Sequence, residues 1–201
     1  MKEFFYEESA NVINEKSEKL KYNVFNVVSI FSYVLTVLWI IIVFYGYEFS
    51  GLIILDLIFT LLPLTIFILL GILLGRFKNK FCVDYDYTLV TGSLRFSKVI
   101  NNIKRKSIIM FETSQIEKLG EYGSATYERY SIMPSITMQV LTSNFSPREG
   151  KDFYYLVANT EGEKKLFVIE CTEKLIACIM QFANKQILDE DFIKKLATKR
   201  K

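Results

Sequence analysis

The 201-residue chain has no histidine. Without it the commonest metal ligand and the commonest general base near neutral pH are missing, so three-ligand catalytic zinc and Ser-His or Cys-His nucleophile chemistry are not expected. Cysteine is scarce as well. Cys82, Cys171 and Cys178 show neither CxxC nor metal-ligand spacing. Their wide separation and apolar neighbours predict reduced, buried thiols, as in a cytosolic soluble part, rather than a disulfide framework. No glycine cluster, Gly120-Glu121-Tyr122-Gly123-Ser124 included, is followed by Lys-Ser/Thr at the spacing of a phosphate loop. An enzyme reading has no residues to stand on, and neither cofactor nor metal is expected. The net charge of +3 is small and no recognition motif interleaves the basic residues, so nucleic acid is not an expected partner.

The most telling scarcity is one of position. Between Lys21 and Arg76 there is no Lys or Arg, and the gap holds two apolar runs, Val24 to Tyr47 and Leu52 to Leu74, separated by Glu48-Phe49-Ser50-Gly51. Each run has the roughly 20 residues that an α-helix needs to cross a hydrocarbon core. The first run starts too far from the N-terminus for a signal peptide, lacks an A-x-A cleavage site and is followed at once by the second. A retained two-helix membrane hairpin is therefore expected. Lys16, Lys19 and Lys21 precede it, Arg76, Lys78 and Lys80 follow it, and the connecting loop has only Glu48. The positive-inside rule then places both termini in the cytoplasm of a multi-pass plasma-membrane protein, with Tyr45 and Tyr47 near the outer interface.

Within the hairpin, Asp56 is the candidate intramembrane polar site. Ser29, Ser32 and Thr36 recur near helical spacing on the first span. Gly71 and Gly75 match the GxxxG spacing of close helix packing. Pro63 would kink the second span, with Thr60 and Thr65 near enough to satisfy freed backbone groups. Two helices cannot enclose a pathway, so a transport role would need a homo-oligomer.

The expected organisation is an N-terminal cytosolic segment over 1–22, the hairpin over 23–76, a β domain over 77–188 and a charged tail over 189–201. The lead, with Phe4, Phe5, Val12 and Ile13 as its sizeable apolar residues, reads as a short helix or a mobile interfacial segment. After Arg76 the pattern alternates. Phe81 to Val90, Leu94 to Ile100 and Ser107 to Phe111 read as antiparallel strands turning at Thr91-Gly92-Ser93 and Asn101-Asn102, and Glu112 to Leu119 as a short fourth. Asp84 and Asp86 share a strand face and read as solvent-facing alternation rather than an acid pair. Gly120 to Gly150 is punctuated by glycine and proline, with one strand at Ile136 to Leu141. Asp152 to Ala158 and Lys165 to Cys171 form a hairpin. Thr172 caps a helix whose stripe, Leu175, Ile176, Cys178, Ile179, Met180 and Phe182, needs a sheet to cover it.

The expected fold class is a membrane α-helical hairpin plus a small, mainly-β barrel or sandwich closed by a C-terminal helix. That order of elements resembles a pleckstrin-homology-like (PH-like) domain. The whole chain is similar, more narrowly, to a family of short Gram-positive bacterial membrane proteins with two transmembrane helices and a PH-like domain of unassigned function. The likeness is carried by Asp84-Tyr85-Asp86-Tyr87-Thr88, Gly92-Ser93-Leu94, Lys104-Arg105-Lys106 and the hairpin Tyr154 to Ile169 leading into Glu173-Lys174-Leu175. In lipid-binding PH-like domains a basic loop joins the first two strands, whereas here that turn has no cation. Anionic-lipid contact would fall instead to Arg95, Lys98, Lys104, Arg105 and Lys106, and to the tail residues Lys194, Lys195, Lys199, Arg200 and Lys201.

The leading expectation is a non-enzymatic, membrane-anchored PH-like module presenting a protein- or lipid-binding surface at the cytoplasmic face. Its partners would be the bilayer and a protein at the inner membrane face. The alternative is an oligomeric small transporter, channel or accessory subunit using Asp56 and the Ser/Thr face.

Overall fold

The computed structural model describes residues 4–46, 48, 51–183, 187–190 and 192–193. The chain divides into two compact units, Asn14–Cys82 and a second made of Met1–Ile13 with Val83–Lys201.

The first unit is a helical hairpin, α1 (Glu15–Gly46) and α2 (Ile53–Phe77), closed by a 3-10 turn at Lys78–Lys80. Both helices are long and apolar enough to cross a membrane, and only 17% and 6% of their most apolar windows are buried. Aliphatic surface left this open suits membrane association. The buried positions of α1 are Ser29, Ser32 and Thr36, and those of α2 are Asp56 and Gly71. Small residues line the seam because they let the backbones close up. A Cβ at Gly71 would lie 2.8 Å from the Tyr33 ring, and one at Gly75 3.2 Å from the Ser29 hydroxyl. The GxxxG pair is thus used within the hairpin. α2 runs unbroken through Pro63. Thr60 and Thr65 donate to the carbonyls of Asp56, Leu57 and Leu62, not to that of Phe59, which proline deprives of its donor.

Among the described residues the second unit holds two four-stranded sheets. Sheet A runs β1 (Phe5–Ala10), β2 (Val83–Val90), β3 (Ser93–Ile100), β4 (Lys104–Glu112), all antiparallel. Sheet B has the order β5 (Ile116–Glu121), β7 (Asp152–Thr160), β8 (Glu163–Cys171), β6 (Thr137–Val140). The helices α3 (Ala125–Ser131) and α4 (Glu173–Phe182) complete it. Thr91-Gly92 and Glu161-Gly162 are two-residue turns with positive φ throughout (43° and 88°, 56° and 83°), the twist that tight hairpins need. The core lies between the sheets, around Tyr87, Leu89, Leu94, Phe96, Leu156 and Phe167, and α4 closes it with Leu175, Ile176 and Ile179. All three cysteines are buried, and none is in a disulfide among the described residues.

Two expectations are corrected here. The N-terminal lead is neither helix nor mobile segment at Phe5–Ala10: it is an edge strand paired from Phe5↔Val90 to Ala10↔Tyr85. The hairpin of residues 14–82 is therefore inserted between the first two strands of the β unit. The strand expected at Ile136 to Leu141 is β6, and α3 carries the chain back so that it pairs parallel with β8. Ser124 caps α3, its side chain accepting from the Tyr127 amide at 3.2 Å. Second, Thr172 stands at the N-cap position of α4 as expected, but its side chain makes no capping bond there; its hydroxyl donates to Glu8 (2.9 Å). Beyond residue 188 the core continues, with Phe192 buried against Tyr154.

Candidate binding surface

Strand register decides which basic residues stand together. Val83, Ile100 and Lys104 lie abreast at one end of sheet A, and Lys98 faces Lys106 two residues further in. From this end the chain leaves for residue 14 and to it the chain returns at Val83. The β3–β4 turn here has Asn101 and Asn102 in the left-handed region (φ 51° and 56°) and holds Ile103 out at 84% exposure. Arg95 stands at the opposite end, across from Met110, whose sulfur lies 3.4 Å from its guanidinium. Arg105 points to the outer face, where it pairs with Asp86 and with Glu7 (3.1 Å). The described residues thus split the five cations of the sheet: Lys98, Lys104 and Lys106 gather at one rim, Arg105 is engaged with carboxylates and Arg95 stands apart. Lys194, Lys195, Lys199, Arg200 and Lys201 lie outside the described residues.

Asp84 and Asp86 are not solvent-facing alternation. Asp86 is 5% exposed and accepts from the Ser9 hydroxyl at 2.6 Å, and Asp84 accepts from the Val12 amide at 2.8 Å. Their shared face binds β1 and the residues after it, which explains why carboxylates recur there.

A second carboxylate cluster holds the loop after β6. Glu170, fully buried, accepts from the Thr142 hydroxyl (2.6 Å), the Asn144 side-chain amide (2.7 Å) and the Arg148 backbone amide (2.9 Å). Asn144 also accepts from the Ile13 amide and donates to the Asn11 carbonyl, both at 2.9 Å, and Ser143 donates to the Val83 carbonyl at 2.7 Å. The loop is thereby tied to both points where the chain connects with residues 14–82. Phe145, between these anchors, is 104% exposed. Nearby, Glu8 takes the Thr172 amide and hydroxyl and pairs with Lys151 at 3.0 Å. None of these roles was legible in the alternation of residue types; the one available signal was a glutamate inside the apolar run Leu166 to Cys171.

The outer face of sheet B is apolar and only partly covered. Tyr127, Tyr130 and Ile136 cover Tyr155, Val157 and Leu166. Beyond them a groove of about 330 Å³ opens over Tyr122, Tyr127, Met138, Val140, Phe153 and Val168. Burial, with the neighbouring Tyr122 hydroxyl second, pushes the Tyr127 phenol up to about 12. Burial likewise raises Tyr87 well above its ordinary value, and its hydroxyl donates to the Leu141 carbonyl (2.5 Å). The C-terminal segment closes the β5 edge: Asp189 donates its amide to the Leu119 carbonyl, and its carboxylate accepts from Ser124, Thr126 and Tyr155 at 3.0, 2.9 and 3.2 Å.

In the hairpin Asp56 is 4% exposed and belongs to the seam. Ser29 donates across the seam to the Gly71 carbonyl (2.8 Å), while Ser32 and Thr36 donate to carbonyls of their own helix (3.0 Å each). Trp39 donates to the Thr60 carbonyl at 3.1 Å. Among the described residues no group of His, Cys, Asp or Glu could hold a metal ion.

Against known proteins, the family model described as a bacterial PH-like domain (DUF6106) matches residues 10–189. No curated protein and no solved structure matches the chain.

Proposed function

The chain belongs to the bacterial PH-like domain family (DUF6106), and on that premise we propose that it is a non-enzymatic, membrane-anchored module whose basic rim seats the β unit on the anionic cytoplasmic leaflet. The observation that carries this is the register placing Lys98, Lys104 and Lys106 at the end of sheet A that connects with the two apolar helices. A cation near an anionic surface contributes about 1 kcal/mol, so three supply about 3 kcal/mol, which salt would weaken. The cytoplasmic placement is supported by the Lys and Arg flanking the spans.

The test is hydrogen exchange on the full chain in nanodiscs. Backbone amides of residues 100–106 gain protection when phosphatidylglycerol replaces part of the phosphatidylcholine, and lose it in high salt or in the Lys98→Gln, Lys104→Gln, Lys106→Gln triple variant. Protection indifferent to anionic lipid would sink the proposal.

A second reading, a protein partner, is favoured by the groove beside β6. β6 pairs on one side with β8 and ends sheet B, so an extended segment bearing large apolar residues could add along it. A photo-crosslinker at Met138 should trap such a segment in native membranes, with the adduct lost in a Val140→Asp background. Adducts that persist in that background would argue against this groove.

A further inference from the structure

We propose that Ile103 and Phe145 are two apolar prongs that enter the interfacial layer of the membrane on either side of the basic rim. The inference rests on the seating just proposed and extends it from charge to insertion. Both side chains are exposed beyond any need of the fold, at 84% and 104%. Ile103 tips the three-residue turn 101–103 and Phe145 lies in the longer loop 141–151, places where polar residues are the rule. Neither connection is loose. The β3–β4 turn is closed by the Ile103 amide on the Ile100 carbonyl at 3.1 Å. The loop bearing Phe145 is fixed through Ser143, Asn144 and the buried Glu170.

Position points to the bilayer as the occupant. Ser143 and Asn144 hold the chain at Val83 and Ile13, the two places where the β unit joins residues 14–82. Six residues separate Val83 from Arg76, a reach of at most about 25 Å even when extended. Adjacent strands lie about 4.8 Å apart, so the four strands of sheet A carry the rim across about 14 Å, with the Phe145 loop tied at the β1 side and Ile103 at the β3–β4 turn. Lys104 flanks one prong in sequence and Arg148 follows the other. An aromatic or aliphatic tip with neighbouring cations suits the headgroup and acyl boundary, where apolar groups settle about 5–10 Å deep and cations meet phosphate.

The experiment uses the full chain in nanodiscs of phosphatidylcholine brominated near the top of its acyl chains. Phe145→Trp and Ile103→Trp are compared with Ile132→Trp, an exposed position beyond α3 at the opposite end of sheet B, and emission is read as the excess over the parent, which retains Trp39. We expect the first two variants to lose about half of their added emission, as a ring within the reach of bromine at that depth would, and the third to lose none. Quenching should persist in high salt and without anionic lipid. If the two variants are quenched no more than Ile132→Trp, or only one of them is, the two-pronged insertion is overturned. Should a tryptophan variant fail to fold, hydrogen exchange at residues 144–146 of the parent, compared between nanodiscs and detergent micelles, decides for that loop; equal exchange in both overturns its insertion. Quenching without lipid-dependent protection of residues 100–106 leaves the prongs standing and removes the charge-based seating, whereas the reverse pattern removes the prongs alone.

Discussion

The two sheets of the β unit share a core yet treat their outer faces in opposite ways. Sheet A turns Glu7, Ser9, Asp86, Ser97 and Arg105 outward and knots several of them into hydrogen bonds and ion pairs. Sheet B turns out Tyr155, Val157, Leu166 and Val168, then covers part of them with α3 and leaves a groove over the rest. A sheet with one apolar face is finished when it meets a partner sheet; one with two apolar faces still needs cover. The comparison teaches that the uncovered apolar surface on the sides of this domain lies with sheet B, whereas sheet A gathers three of its cations at one end.

Alkali should expose the contrast most strongly. Burial raises the phenols of Tyr127 and Tyr155 on the outer layer of sheet B, and of Tyr87 and Tyr154 in the core, above the ordinary value of 10.0. The unfolded chain then releases these protons before the folded one does. Stability is fully present below pH 10, and falls as pH rises toward the folded values. Circular dichroism with phenolate absorbance should show β structure lost together with tyrosine ionisation between about pH 10 and pH 12. Ionisation that proceeds fully with the fold intact would contradict the burial described for these rings.

Glu170→Ala comes next. It strands three donors under the loop and should cost about 3 kcal/mol or more, read as earlier exposure of the three buried cysteines to a thiol-reactive dye on heating. Glu170→Gln, which keeps one acceptor oxygen, should cost less. Gly120→Val acts on the same sheet through space: even a Cβ at Gly120 meets the Asp189 Cβ and the Tyr155 ring at 2.8 Å. Overpacking of this kind costs about 2 kcal/mol, and the C-terminal segment should become the first site of proteolysis. Sheet A should give the smallest response. Arg105→Gln removes a half-exposed cation from Asp86 and Glu7, a loss of about 1 kcal/mol after solvent screening, and added salt should shrink the difference from the parent. A larger, salt-independent loss would mean that sheet A, like sheet B, depends on its outer face.

Much of this fold could be read in the chain because its signals are local. The apolar runs, the Thr91-Gly92 turn, the alternation of Leu94 to Ile100 and the stripe of α4 depend on neighbours a few residues away. The lead was misread because Phe5 to Ala10 alone has too weak an alternation to claim a strand, and its partner β2 lies more than seventy residues later. β6 was legible as a strand but not in its pairing: a four-residue strand does not announce its direction. The candidate site was half legible. Lys98, Lys104 and Lys106 were in view as cations, but only register separates them from Arg95 and Arg105. Glu170, Asn144 and Phe145 carried no pattern.

By itself, then, the sequence determined two membrane-compatible helices, the strands that follow and the helix that closes them, since composition and period act over one or two turns of chain. The tertiary structure alone decided that the β unit is completed by a strand from before the hairpin, that carboxylates at Asp86, Glu170 and Asp189 serve as internal fasteners, and that three lysines, Ile103 and Phe145 collect at the end joined to the helices. Those outcomes come from pairing register and from the cost of leaving buried polar groups unbonded, which are properties of distant residues brought together.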